Sequence, residues 1–291
     1  MNRKFYNDYD MSIPGEHHYI TKNGLKVCHV NLDEVQAPPG VNKQEYQSNC
    51  SAISIAKIYG HYGWACYDND IPEKFLKPLY YARITNSTTQ AIDTQIAKKF
   101  TIIDLYNIQK EIECLLGNNI DAIKKLRNTI RYFKRKEYVE AVANLFILID
   151  AQSINFLRTT QVQGTKQGLD ALAKAINIKF GEYLQLTETY ESSAKAIKEE
   201  LFEKLSQYKH TDCLENDFTV YEIINLMHSF KTLFDGYSWE QEQELPAAIN
   251  RNVALHGVYK QQDVQKYDYI KLLLLLRKVL RVFNAKITHT A

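Results

Sequence analysis

The sequence predicts a mainly α-helical protein, with a smaller irregular or mixed α+β region at its N-terminal end. Two observations separate the parts. Five of the six prolines lie at or before Pro78, and five of the eleven glycines at or before Gly63. The first ~90 residues are thus dense in breakers, which the remainder mostly lacks. Beyond residue 90, apolar residues recur with the 3.6-residue period of an amphipathic helix. The expected division is 1–90, mixed, and 91–291, helical.

Within the first part, residues 19–30 read YITKNGLKVCHV. Alternating apolar residues around Asn23-Gly24 predict a β-hairpin with a type I′ turn. Ala37-Pro38-Pro39-Gly40 is a loop, and Ser51–Tyr62 a short helix. In the second part the period predicts helices at Ile102–Leu116, Ile120–Tyr132, Tyr138–Leu157, Gly168–Ile176, Ser192–Gln207, Thr219–Phe234, Pro246–Leu255 and Val264–Phe283. Tyr138–Leu157 is apolar nearly all round, which predicts the centre of a bundle. The last helix carries Tyr267, Ile270, Leu273, Leu274 and Leu280 at helical spacing and is expected beside it. Gly181 to Asp217 reads as peripheral.

Composition narrows the classes. A net charge of +2 excludes a globally basic nucleic-acid coat but leaves room for a local basic patch. Twenty tyrosines suit half-buried surfaces and interfaces. Cys28, Cys50, Cys66, Cys114 and Cys213 are scattered, odd in number and never in CxxC pairs. That argues for buried thiols rather than a disulfide framework or a zinc site. Met1 to Gly15 is polar, without the apolar core of a secretory signal. The greasiest run, Leu272 to Leu276, is far too short to span a bilayer. A cytoplasmic protein without cofactor or membrane contact is the expectation.

The chemistry concentrates at residues 249–257, INRNVALHG. Pro246 suits a first helical turn. Glu240, Glu242 and Glu244 precede it, where negative charge is favoured. Gly257 suits the left-handed position that ends a helix, and Tyr259 lies in the loop beyond. With Arg251 at 0°, Leu255 falls near ~40°, Ala248 ~60°, Asn252 ~100°, His256 ~140° and Ile249 ~160°. The polar side chains therefore share an arc with apolar ones and must be hydrogen-bonded or functional. Asn252 and His256, four apart, form the expected pair, with Arg251 to one side. These residue types suit RNA cleavage. A histidine can move a proton to or from a 2′-hydroxyl or a leaving oxygen. An arginine can grip a phosphate and stabilise developing charge. An asparagine can fix the imidazole tautomer or hold a phosphate oxygen.

Arg251-Asn252-Val253-Ala254-Leu255-His256 resembles the R-x4-H signature of HEPN ribonucleases, including the polar residue directly after the arginine. Gly257, the Leu-rich helix that follows, and the earlier apolar helix carrying FILID up to Asp150 are also similar to that family. The resemblance spans 102–283, with an insertion at about 160–215. It implies a HEPN-like helical bundle that dimerises, so that two motifs face each other and build one composite site. It further implies metal-independent cleavage with the RNA 2′-hydroxyl as nucleophile, and a role as a toxin or in abortive infection and antiphage defence. An antitoxin or another defence-system protein is then an expected partner.

Other features read as follows. Asp150 either orients Arg251 or His256, or is the acid of a buried ion pair. Lys124, Lys125, Arg127, Arg131, Lys134, Arg135 and Lys136 form a basic run without an acid, with Tyr132 and Phe133 interleaved. It is either a phosphate-tracking patch with stacking aromatics or a solvated helix face. His17, His18, His29 and His61 lack metal-site spacing. Gly164 to Gly168 lacks the spacing of a phosphate loop. His228 reads as a core or boundary residue, and Trp239 as a packing anchor. Three functions remain: a HEPN endoribonuclease; a catalytically inactive HEPN-like module binding RNA, a nucleotide or a protein; and a structural helical dimer with a chance motif.

Overall fold

A computed structural model describes residues 89–159, 220–234, 245, 246 and 248–284, residues 39, 43, 56, 59, 60 and 62–66, and the backbone of 16–20 and 26–30. The fold is mainly α. Strands β1 (Glu16–Ile20) and β2 (Lys26–Val30) form an antiparallel hairpin. Its register pairs Ile20 with Lys26 and Glu16 with Val30. The expected type I′ turn at Asn23-Gly24 lies outside the described residues. Among the described residues the two strands pair only with each other. Ala56, Tyr59, Tyr62, Trp64, Ala65 and Cys66, expected in the N-terminal region, pack into the helical core. A separate mixed α+β region therefore has no support in the described residues.

The helices are α1 (Thr89–Ala97), α2 (Ile102–Leu116), α3 (Ile120–Lys134), α4 (Tyr138–Thr159), α5 (Val220–Phe234), α6 (Arg251–Leu255) and α7 (Lys266–Asn284). The expected helices at 168–176 and 192–207, the 160–215 insertion, Gly164–Gly168, His61 and Trp239 lie outside the described residues. Helix α2 begins with a capping box: Thr101 Oγ1 accepts from Asp104 N, and Asp104 Oδ2 accepts from Thr101 N. Helix α3 begins at Asn119, whose side chain accepts from Ala122 N.

Helix α7, not α4, is the enclosed one. It packs against α1, α2, α4 and α5. Fifteen of its nineteen residues are buried, against nine of twenty-two on α4, where Ile147 is exposed. Asp268, Lys271, Arg277 and Lys278 are among the buried ones, so the helix looks amphipathic in sequence. Of these, Lys271 pairs with Asp93, and Arg277 with Glu111 at 2.6 Å. Among the described residues only α4 has the length and apolarity of a membrane span, and it packs against α3, α6 and α7 as a core helix does. Each fully buried Leu or Ile of this core stabilises by about 1.5–3 kcal/mol.

Three helix ends close the same way. At Gly63, Lys136 and Gly257 the residue after the cap has positive φ: 77°, 62° and 70°. In each case its N–H donates back three residues and the next N–H five residues: Trp64 N to Tyr59 O, Glu137 N to Tyr132 O, and Val258 N to Val253 O. That is the Schellman closure. Glycine adopts this backbone freely; Lys136 does so at a cost of about 1 kcal/mol. Of the cysteines, Cys66 is buried as expected, whereas Cys114 is exposed on α2.

Candidate active site

Helix α6 is five residues long, too short to hold itself together. Contacts at both ends fix it. Asn250 is the N-cap, with extended backbone (φ −123°, ψ 137°), and its side chain accepts from Asn252 N at 2.9 Å and Val253 N at 3.4 Å. The helix therefore starts after Asn250, and Pro246 lies ahead of it rather than in its first turn. Ala248 and Ile249 precede the helix too, so their expected places on its wheel do not hold. At the other end Gly257 ends the helix as expected. Buried Tyr259 then returns over it: Asn250 N donates to the phenol oxygen at 3.0 Å, joining both flanks of α6. Val253 and Ala254 face the core, and the helix lies against α4 and α5.

Asp150, midway along α4, holds Arg251. Its Oδ2 accepts from Nε at 2.8 Å and lies 2.6 Å from Nη2. Arg251 Nη1 donates to Asn252 Oδ1 at 3.2 Å. Three of the five guanidinium N–H donors are thus engaged, and two remain, one on each terminal nitrogen. The side chains of Arg251 and Asp150 are 17% and 11% exposed. Both sequence readings of Asp150 meet here, since it is an ion-pair partner and it also aims the arginine.

The polar pairing differs from the expected one. Asn252 bonds Arg251 rather than His256, because the Asp150 carboxylate draws the guanidinium across the helix and brings Nη1 to the amide oxygen. His256 occupies the exposed C-cap (φ −89°, ψ 5°), and its backbone N donates to Asn252 O at 3.1 Å. Arg251 and His256 share no hydrogen bond in the described residues. One chain thus presents a fixed Arg251–Asn252–Asp150 cluster and, at the helix end, an exposed imidazole.

Lys124, Lys125, Arg127, Arg131, Lys134 and Arg135 are all exposed along α3 and its cap. Arg127 is bound by Glu113 of α2 through Nε at 3.0 Å and Nη2 at 2.8 Å. Lys134 donates to the Tyr106 hydroxyl, with its ammonium 4.7 Å from the ring centre. Helices α3 and α6 both pack on α4.

Sequence reasoning missed two groups. Asn250 carried a signal, an Asn directly before the motif, where N-caps prefer it. The other is a buried centre: Trp64 Nε1 donates to Asp93 Oδ1 at 2.8 Å, and Lys271 Nζ to Asp93 Oδ2 at 2.7 Å. Its members are far apart in the chain and carry no local signal. Burial pushes the Asp93 carboxyl above its usual range, while Lys271 and then Trp64 hold it back. Among the described residues no three His, Cys, Asp or Glu side chains gather as a metal site would require. Comparison with family models, curated proteins and solved structures finds no match.

Proposed function

We propose that the chain is a metal-independent endoribonuclease of HEPN type, with Arg251, Asn252 and His256 as its catalytic residues. The observation that carries this reading is that one short helix, fixed by Asn250, Gly257 and Tyr259, bears an arginine held by Asp150 at its start and an exposed histidine at its end. In this reading the 2′-oxygen of RNA attacks the adjacent phosphorus and the 5′-oxygen of the next nucleotide leaves. The products are a 2′,3′-cyclic phosphate and a 5′-hydroxyl. His256 transfers a proton at one of the two oxygens. The two remaining Arg251 N–H groups meet the phosphate oxygens, where charge builds. Asn252 and Asp150 hold the guanidinium in place. A second imidazole comes from a second copy of the chain, which makes the site composite and the protein a homodimer. The same reading places it in the cytoplasm, as a toxin or antiphage effector with a neutralising or activating partner protein.

One observation favours a second reading, a catalytically inactive HEPN-like module that binds RNA, a nucleotide or a protein. Asp150 offsets the charge of Arg251 and occupies its Nε, which weakens any grip on a phosphate.

RNA cleavage in EDTA separates the two. The wild type should cut, and Arg251→Ala and His256→Ala should each lose about 100-fold or more. Equal cleavage by both variants sinks the catalytic assignment. A wild type that binds RNA without cutting it selects the second reading.

A further inference from the structure

We infer that the outer face of α3 is a docking surface for the sugar-phosphate backbone of single-stranded RNA, separate from the catalytic segment. This rests on the ribonuclease reading for its choice of RNA, but its evidence lies elsewhere in the fold.

The face is built for a polyanion. With Lys124 at 0°, Arg127, Arg131, Lys134 and Arg135 fall near ~300°, ~340°, ~280° and ~20°. Buried Thr129, Ala122, Phe133 and Leu126 fall near ~140°, ~160°, ~180° and ~200°, on the opposite side. Lys124, Arg127, Arg131, Lys134 and Arg135 thus form one stripe facing away from the core, while exposed Lys125, near ~100°, lies outside it. From Lys124 to Arg135 it runs about 17 Å, room for about three phosphates of an extended strand. No acid interrupts α3 after Asp121. Glu113 offsets Arg127 alone, whereas Arg131 and Lys134 bond the neutral Asn128 and Tyr106. Lys124, Lys125 and Arg135 make no ion pair among the described residues.

Two further observations mark the C-terminal end of the stripe. Lys136 takes the left-handed position that glycine fills at the two other Schellman ends. A cation is thus kept where the backbone favours glycine, and strain of this kind points to function. Tyr106, a residue 39% exposed, stands against Lys134, whose ammonium lies over its ring. An exposed aromatic ring at the end of a phosphate track suits an unpaired base, which can stack on it; a duplex keeps its bases to itself.

The test uses the full-length chain with His256→Ala, so that RNA is not consumed. Anisotropy of a fluorescein-labelled oligouridylate, about a dozen nucleotides long, is measured against KCl concentration. Replacing Lys124, Arg131 and Arg135 together by Gln should weaken binding at least tenfold and flatten the log–log salt slope by about 2, at about 0.7 per phosphate contact. Arg127→Gln should change the slope least, because Glu113 already neutralises it. Lys136→Gly should weaken binding while raising Tm, a combination that a structural role does not give. Tyr106→Ala should cost about tenfold with the slope unchanged.

Unchanged affinity and slope in the triple variant overturn the inference. So does stripe-dependent binding to phosphatidylserine vesicles with none to the oligouridylate. The two readings fail separately. If the triple substitution leaves binding unchanged in the His256→Ala chain and leaves cleavage unchanged in the chain that keeps His256, the stripe fails and the nuclease stands. If the chain binds RNA through the stripe but does not cut it in EDTA, the nuclease fails and the stripe stands.

Discussion

Asp93–Lys271 and Asp150–Arg251 are both a carboxylate on one helix holding a cation from another, at 2.7 and 2.6 Å. They differ in what surrounds them. Lys271 and Asp93 are 0% and 1% exposed, and the ammonium lies 5.3 and 5.6 Å from the ring centres of Trp64 and Tyr267. No ligand reaches it. The pair binds α7 to α1 and, through the indole, to Trp64. Arg251 keeps some exposure and two N–H donors without a partner among the described residues, on the short helix that exposed His256 ends. Burial, rather than the ion pair as such, separates a structural pin from a candidate site.

The largest effect should come from breaking the buried pair. Lys271→Met leaves Asp93 without its cation in the core and should cost about 3–5 kcal/mol in urea unfolding. The double variant with Asp93→Asn should recover much of that loss, since it removes the stranded charge. A single variant within about 1 kcal/mol of wild type would mean that the centre admits water, and the contrast with Asp150 would collapse.

At the site, the effect should move from stability to activity. Asp150→Asn keeps the shape of the side chain but removes its charge. The expected stability loss is about 2 kcal/mol. RNA cleavage should fall by up to about 100-fold, because the guanidinium loses its aim. A rise in RNA affinity together with unchanged cleavage would instead show Asp150 acting as a mask on the arginine. Unchanged behaviour in both would make the pair a second structural pin.

What the sequence disclosed follows the range of each signal. Helix α2 lies within its expected limits, and α3, α4, α5 and α7 within two residues of theirs, because apolar periodicity is local. Gly257 was legible as a stop because the residue type answers a backbone demand in place. The start of α6 was misplaced because Pro246 is a stronger local signal than Asn250, and tertiary contacts to Tyr259 decided between them. The enclosure of α7 was hidden by its charges, whose partners Asp93 and Glu111 lie more than 160 residues earlier. Asp150 was legible as a candidate, but its partner depended on how α4 meets α6.

The smallest effect belongs to an exposed pair, which completes the series. Arg127 and Glu113 are 58% and 19% exposed. The hydrogen bond from Arg127 holds the Glu113 carboxyl below its usual range, against a smaller opposing effect of burial. A carboxyl with a lowered folded-state pKa adds stability above its unfolded value, and that stability disappears as pH falls through the folded value. Glu113→Gln should therefore be slightly less stable than wild type at pH 7. The difference in Tm should shrink below the ordinary glutamate pKa of about 4.3 and vanish in stronger acid. Because solvent screens the pair, salt should also erase much of the difference at neutral pH. A Tm difference that persists in both acid and high salt would show that Glu113 acts by packing. Arg127 would then be left as one more uncompensated cation on the α3 stripe, and its removal should flatten the salt dependence of RNA binding as much as removal of Lys124.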